Sequence, residues 1–277
     1  MSTKKISIKN FFKKYRILIL AILIVLIAFD SLVSIYSYRE KIISKLPNFV
    51  GETLRERAEV DDYKRYKGRQ AAEYYTVGSK VAKKILNGGY ILYFRHAERE
   101  KWLDVTFYDA YELEKNLMAE ETHFKDAVCL STRGKIQART MGEFVKLLKI
   151  PIQKVISSPS CRARQTAQLA FGGYDEIKNI FLHFGPFNET IEEYVKNVKK
   201  EILKINVKEG FNVIISAHGG VIYKETFDEI LNDIDEFYSI NEGGFYVISK
   251  KNNKLALVHK YYNFQHFVTH LMQRPED

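Results

Sequence analysis

Cysteine is scarce. Only Cys129 and Cys161 occur in 277 residues. Neither lies in a CxxC pair or in a Cys/His cluster with metal-ligand spacing, which excludes a zinc-ribbon or zinc-finger framework. The sequence leaves open whether the two are joined or are free thiols. No RNP-like or helix-turn-helix pattern is present, and there is no internal repeat or low-complexity segment. With 46% hydrophobic and 28% charged residues, the composition is that of a globular chain and excludes a disordered one. Excess charge is also missing from most of the chain. The net charge is +9, but Lys4, Lys5, Lys9, Lys13, Lys14 and Arg16 precede the first acidic residue and leave only +3 for the rest. The basic balance therefore marks a tail and gives no sign of a nucleic-acid partner.

What is present begins with a long apolar run. Ile17 to Phe29 holds no polar residue, and after Asp30 the chain stays semi-apolar to Tyr38. A spanning helix needs about 20 mostly apolar residues. Residues 17–38 therefore read as a transmembrane anchor, with Asp30 near one interface and Tyr36 and Tyr38 in the aromatic belt. The basic tail, residues 1–16, predicts a cytoplasmic N-terminus. The bulk of the chain is then periplasmic or on the outer surface. The rival is a cleaved signal peptide, whose apolar core has a similar length, but no A-x-A site follows.

Residues 39–70 are charged and read as a helical connector. From 71 to 277 the pattern is that of a folded domain. Helical stretches are expected at 71–86, 134–148, 162–171, 190–205 and 221–230. Short apolar strands are expected at 90–94, 154–157, 180–184 and 212–216, with a terminal hairpin of 245–249 and 255–261 across Asn252-Asn253. Alternating strands and helices predict an α/β fold with a mostly parallel sheet, and strands without polar alternation predict helices on both faces. Ligands of such sheets bind beyond the C-terminal strand ends.

Three strand ends share one layout. Arg95 and His96 follow the first apolar strand, Ser158 to Arg162 the second, and His218-Gly219-Gly220 the fourth. Two histidines and two or three arginines then converge on one rim. Guanidinium forks bind phosphate oxygens bidentately. A neutral imidazole can attack phosphorus and become a phosphohistidine, while the cations stabilise charge on the equatorial oxygens. A helix beginning at Gly219 would add N–H donors.

The segments FRHAER (94–99), SSPSCRARQTA (157–167) and SAHGG (216–220) resemble, in order and spacing, the signatures of the histidine phosphatase (phosphoglycerate mutase-like) superfamily, over roughly residues 88 to 262. LSTRGKIQARTMGEF (130–144) is similar to that family's helix after the first motif. The resemblance implies a phosphoglycerate mutase-like fold. It implies His96 as nucleophile and Arg95, Arg162 and His218 completing the phosphate pocket. Arg99 matches an extra arginine of some branches and is a further phosphate-binding candidate; Arg164 reads as structural. Phe187-Asn188-Glu189 looks like the context of the family's general acid, which makes Glu189 the candidate and Glu98 the alternative. Ala97 stands where the commonest pattern has glycine. The RHAER form resembles the bacterial envelope branch that includes the lipopolysaccharide core heptose-phosphate phosphatase.

These expectations describe a phosphatase of phosphoric monoesters that needs no metal and no cofactor. Its substrate would be a phosphorylated small molecule or glycolipid, and the N-terminal helix would hold it to a membrane. The alternatives are a catalytically weak phosphate-binding module, or a phosphomutase or protein phosphohistidine phosphatase if the domain is cytoplasmic. Lys101 to Val128 is a long insertion that reads as a lid or substrate cap. His266 and His270 have the i, i+4 spacing of metal-binding helices, but no third ligand is evident. A reporter fused after Asp277 should be active only outside the cytoplasm; a cytoplasmic signal would overturn the predicted orientation.

Overall fold

A computed structural model describes residues 69–101, 108–109, 112–113, 127–182, 190–231 and 240–272. All of these fall in the unit Arg69–Asp277. The predicted tail, anchor and connector lie outside the described residues. Among the described residues, no helix is long and apolar enough to cross a membrane.

Helix α1 (Arg69–Ile85) leads in. It stops at Asn87-Gly88-Gly89, where φ of 77° and 96° at the two glycines turns the chain into the sheet. Strand β1 (Ile91–Arg95) follows, then α2 (Thr132–Leu147), β2 (Ile152–Ser157), α3 (Cys161–Phe171) and β3 (Glu176–Ile177). The remainder is α4 (Ile191–Leu203), β4 (Asn212–Ala217), β5 (Glu229–Ile230), β6 (Phe245–Lys251), β7 (Lys254–Tyr261) and α5 (Phe264–Met272). The seven strands form one sheet in the order β3-β2-β4-β1-β6-β7-β5. From β3 to β1 the pairing is parallel, β6 runs antiparallel to β1 and β7, and β5 is parallel to β7. The α/β class with a mostly parallel mixed sheet is therefore as expected.

Both sheet faces are buried. Ile91, Tyr93, Val213 and Ile215 point to one side and pack with Tyr194, Val198 and Ile202 of α4. Their neighbours Leu92, Phe94 and Ile214 point to the other, against Val81 and Ile85 of α1, Met141 of α2, Ala167 of α3 and Phe264 of α5. Each such large apolar side chain contributes about 1.5–3 kcal/mol when fully buried. Polar caps fix the helix ends. Ser131 and Ser160 accept from N–H groups of α2 and α3, and Thr190 with Glu193 forms a capping box on α4. Lys250 of β6 donates to the carbonyls of Leu203 and Ile205, satisfying acceptors at the C-terminal end of α4. The β6–β7 hairpin turns through Asn252 and Asn253, both left-handed at φ of 50° and 57°.

Two expectations need correction. The stretch 180–184 was expected as a strand, but Asn179–Phe181 is a single 3-10 turn and the strand lies earlier, at β3. Phe181 and Leu182 are both buried, so the apolar run plugs the core instead of alternating. The helix expected at 221–230, and with it a helix N-terminus at Gly219, is absent; that stretch holds a 3-10 turn, Lys224–Thr226, and β5. Helix α5 had no expectation at all. A further finding settles an open question, since Cys129 and Cys161 form a disulfide.

On the sheet face away from α4, His259 of β7 meets His266 and His270 of α5. The His259 and His270 rings lie 5.9 Å apart, those of His266 and His270 4.4 Å apart. Among the described residues, no group of three metal-binding side chains is arranged to hold an ion. Burial first, and the neighbouring imidazoles second, lower both His259 and His270 to about 3. The folded state therefore keeps both neutral where the unfolded chain binds protons. Their contribution is complete above the unfolded pKa of about 6.5 and is lost as pH falls toward about 3. The unfolding free energy of the full chain, from urea titrations, should drop between pH 7 and pH 5, by up to about 1.4 kcal/mol per pH unit for each histidine. The His270→Phe variant should show a shallower slope; an unchanged slope would count against burial of a neutral imidazole.

Candidate active site

The register of the sheet sets the site. Arg95 pairs with Ala217, and Ser157 with Ser216. Strands β1, β2 and β4 therefore end level, and the residues that follow them share one rim. The His96 N–H donates to the Ala217 carbonyl at 2.9 Å. The rings of His96 and His218 stand 5.3 Å apart at 67°.

Hydrogen bonds fix the two imidazoles in opposite tautomers. His96 Nδ1 is 2.7 Å from the Ala97 carbonyl. A carbonyl only accepts, so Nδ1 carries the hydrogen, and in the neutral ring Nε2 carries the lone pair. At His218, Nδ1 lies 3.2 Å from Nη2 of Arg162, which can only donate. Its hydrogen is therefore on Nε2, directed to Oγ of Ser158 at 2.9 Å and of Ser160 at 3.3 Å. Tyr93 in β1 holds the His218 backbone, donating to its carbonyl at 2.8 Å and accepting from its N–H at 3.3 Å. Burial pushes the Tyr93 hydroxyl well above its usual pKa, so it stays a donor. Thr166 in α3 accepts from the Ala97 N–H at 2.9 Å and donates to the Arg162 carbonyl at 2.8 Å. One hydroxyl thus joins the loop that carries the nucleophile candidate to the helix that carries Arg162.

Arg162 is fully buried. Its Nη1 and Nη2 donate to Oδ1 and Oδ2 of Asp109 at 2.6 and 2.7 Å. Glu112 accepts from the Cys161 N–H at 2.8 Å and lies 3.2 Å from Nη2 of Arg164, which also donates from Nε to the Pro159 carbonyl. Arg164 is therefore a structural anchor, as expected. Asp109 and Glu112 had no assigned role, since acidic residues are frequent throughout the 101–128 insertion.

Arg95 and Arg99 lie close to this cluster. Arg95 donates from Nη1 to the Ile240 carbonyl at 2.8 Å, and its Nη2 is 3.8 Å from Glu242. Arg99 donates to the Glu100 carbonyl; its guanidinium pKa is lowered by burial first and by Arg162 second. An open polar pocket is lined by Arg95, Glu98, Arg133, Gln137, Asn241 and Glu242. Glu98 accepts from the Ser131 hydroxyl at 2.9 Å and lies 3.6 Å from Nε of Arg133. Burial raises the Glu242 carboxyl pKa, with Arg95 and Arg99 pulling it back. Sequence reasoning missed Glu242. Glu189 lies outside the described residues.

His96, Arg162 and His218 are thus brought together, while Arg95 lines the neighbouring polar pocket. An imidazole 5.3 Å from a second imidazole that is itself hydrogen-bonded to a buried guanidinium suits nucleophilic attack on an anionic centre. No curated protein matches the chain by sequence. Among solved structures, a putative alpha-ribazole-5'-P phosphatase from Escherichia coli K-12 is 14% identical at a TM-score of 0.45, covering 63% of this chain and 98% of that one. A phosphoserine phosphatase from Entamoeba histolytica is 15% identical at a TM-score of 0.41, covering 64% and 98%. The putative phosphohistidine phosphatase SixA from Agrobacterium tumefaciens is 16% identical at a TM-score of 0.37, covering 62% and 97%. Residues 95–180 match the model of the histidine phosphatase superfamily (branch 1), and that match, which takes in His96 and Arg162, supports a phosphatase.

Proposed function

We propose that the protein is a metal-independent phosphomonoesterase that works through a phosphohistidine on His96. The observation that carries this reading is the Nδ1 bond of His96 to the Ala97 carbonyl, which leaves Nε2 as a nucleophile beside Arg162 and His218. In the first step, Nε2 attacks phosphorus and the ester oxygen leaves with a proton. In the second, water attacks the phosphohistidine, releasing inorganic phosphate and restoring the imidazole. Arg162, held at Nη2 by His218, stabilises the equatorial oxygens, with Arg95 and Arg99 drawing the anion in. The proton for the leaving oxygen comes from Glu189 by resemblance. Of the carboxyls described at the mouth, Glu242 is the one that burial favours in its protonated form.

The substrate we propose is a phosphorylated sugar or envelope component, met outside the cytoplasm by a domain tethered through residues 17–38. The Cys129–Cys161 disulfide favours this location, since such bonds persist in oxidising compartments. It weighs against the phosphomutase and protein phosphohistidine phosphatase readings, both of which belong to the cytoplasm. The likeness of RHAER to the envelope heptose-phosphate branch, and the polar mouth, support a hydroxyl-rich leaving group.

The full-length chain, purified in detergent, should hydrolyse p-nitrophenyl phosphate in the presence of EDTA between pH 5 and 8. His96→Ala should lower kcat by at least about 10³-fold while the protein stays folded, the scale seen when a covalent nucleophile is removed. Activity that EDTA abolishes would refute the metal-free mechanism. A folded wild type without turnover on any phosphomonoester would favour a phosphate-binding module.

A further inference from the structure

The guanidinium that should receive phosphate already holds an anion. Asp109 offers both carboxylate oxygens to Nη1 and Nη2 of Arg162, and both side chains are fully buried. Carboxylate and phosphoryl groups compete for such a fork, because each presents two oxygens to its parallel N–H donors. The next Arg162 contact is to His218, and its Nε–H is buried without an acceptor. His96 and His218 are no more than 2% exposed. Three residues on, Glu112 binds Arg164 and the first N–H of α3. Two carboxylates three residues apart therefore hold both arginines of that helix.

We propose that Asp109 is a resident anion in the phosphate seat, displaced when the phosphoryl group of the substrate enters. The proposal rests on the phosphatase reading only in taking the incoming anion to be a phosphoryl group. Displacement acts as a specificity device. Binding must be strong enough to open the seat, so the apparent affinity of any ligand is reduced by the fraction of open molecules. Bare phosphate and small esters have nothing further to bind and are disfavoured. Esters whose leaving group also engages the polar mouth recover the difference through those contacts. The same device limits inhibition by the released phosphate.

The test uses full-length protein and inorganic phosphate, with binding followed by calorimetry so that no turnover is required. Asp109→Asn keeps the shape and removes the competing charge. It should tighten phosphate binding about tenfold, the change expected if about one wild-type molecule in ten is open. Phosphate should also raise the Tm of the variant more than that of the wild type, because it restores a partner to the buried guanidinium. In the wild type, saturating phosphate should speed hydrogen exchange at the amides around Asp109 and Glu112, a readout independent of any variant. Unchanged or weaker phosphate binding in the folded variant would overturn the proposal in favour of Asp109 orienting Arg162. So would slower or unchanged exchange in the wild type, or no phosphate binding by either protein. Tighter binding in the variant, without turnover by either protein, would sustain the resident anion and remove the phosphatase reading instead.

Discussion

Parallel pairing of β1 with β4 places Arg95 opposite Ala217, and the rim that brings His96 and His218 together follows from that register. A slip of one residue would turn Tyr93 from the α4 face to the other, exchanging two differently shaped cores. Tyr93 would then lose the His218 backbone it now holds. The continuous burial of β4 fixes the register, because no residue between Asn212 and Ala217 can be moved into water without cost. The precision of the rim is thus inherited from packing on both sheet faces. The polar groups of the site are placed on top of it.

Electrostatics then works against packing. Arg162 is a full charge with no access to water, and its desolvation is offset only by the carboxylate and imidazole that face it. Hydroxyls supply the remaining order. Thr166, Tyr93, Ser158 and Ser160 each join two chain segments without bringing charge into the site. The outcome is a rigid frame around a charged centre whose partner comes from a separate insertion. The frame belongs to the α/β fold, and the partner does not.

Much of this was legible in the sequence because it depends on short, strongly patterned segments. YILYF and NVIIS can only be strands buried on both faces, and the residues just after them had to share a rim. The terminal hairpin was visible in Asn252-Asn253. Legibility failed where an apolar run was too short to show a period, as at Phe181-Leu182, or where a polar stretch took up several short turns, as after Gly219. It also failed for tertiary partnerships. Nothing in the spacing of Asp109 or Glu112 marks them among their acidic neighbours, and the pairing of Cys129 with Cys161 depends on where the insertion returns to the sheet. Arg95 was grouped with Arg162 by sequence; Arg162 is fully buried, and Arg95 lines an open polar pocket.

Gly134 illustrates how far the frame reaches. Helix α2 passes so close to the loop after His96 that a Cβ at this position would collide with the carbonyl oxygen of Glu98. That loop is held in turn by Ser131 and Gln137 of the same helix and its cap. Any side chain at 134 would shift the backbone next to His96, the proposed nucleophile, although glycine bears no functional group. A mutational scan read only through activity would therefore place Gly134 beside His96 and Arg162. Its intolerance comes from steric proximity to the catalytic loop, which activity alone does not distinguish from chemistry.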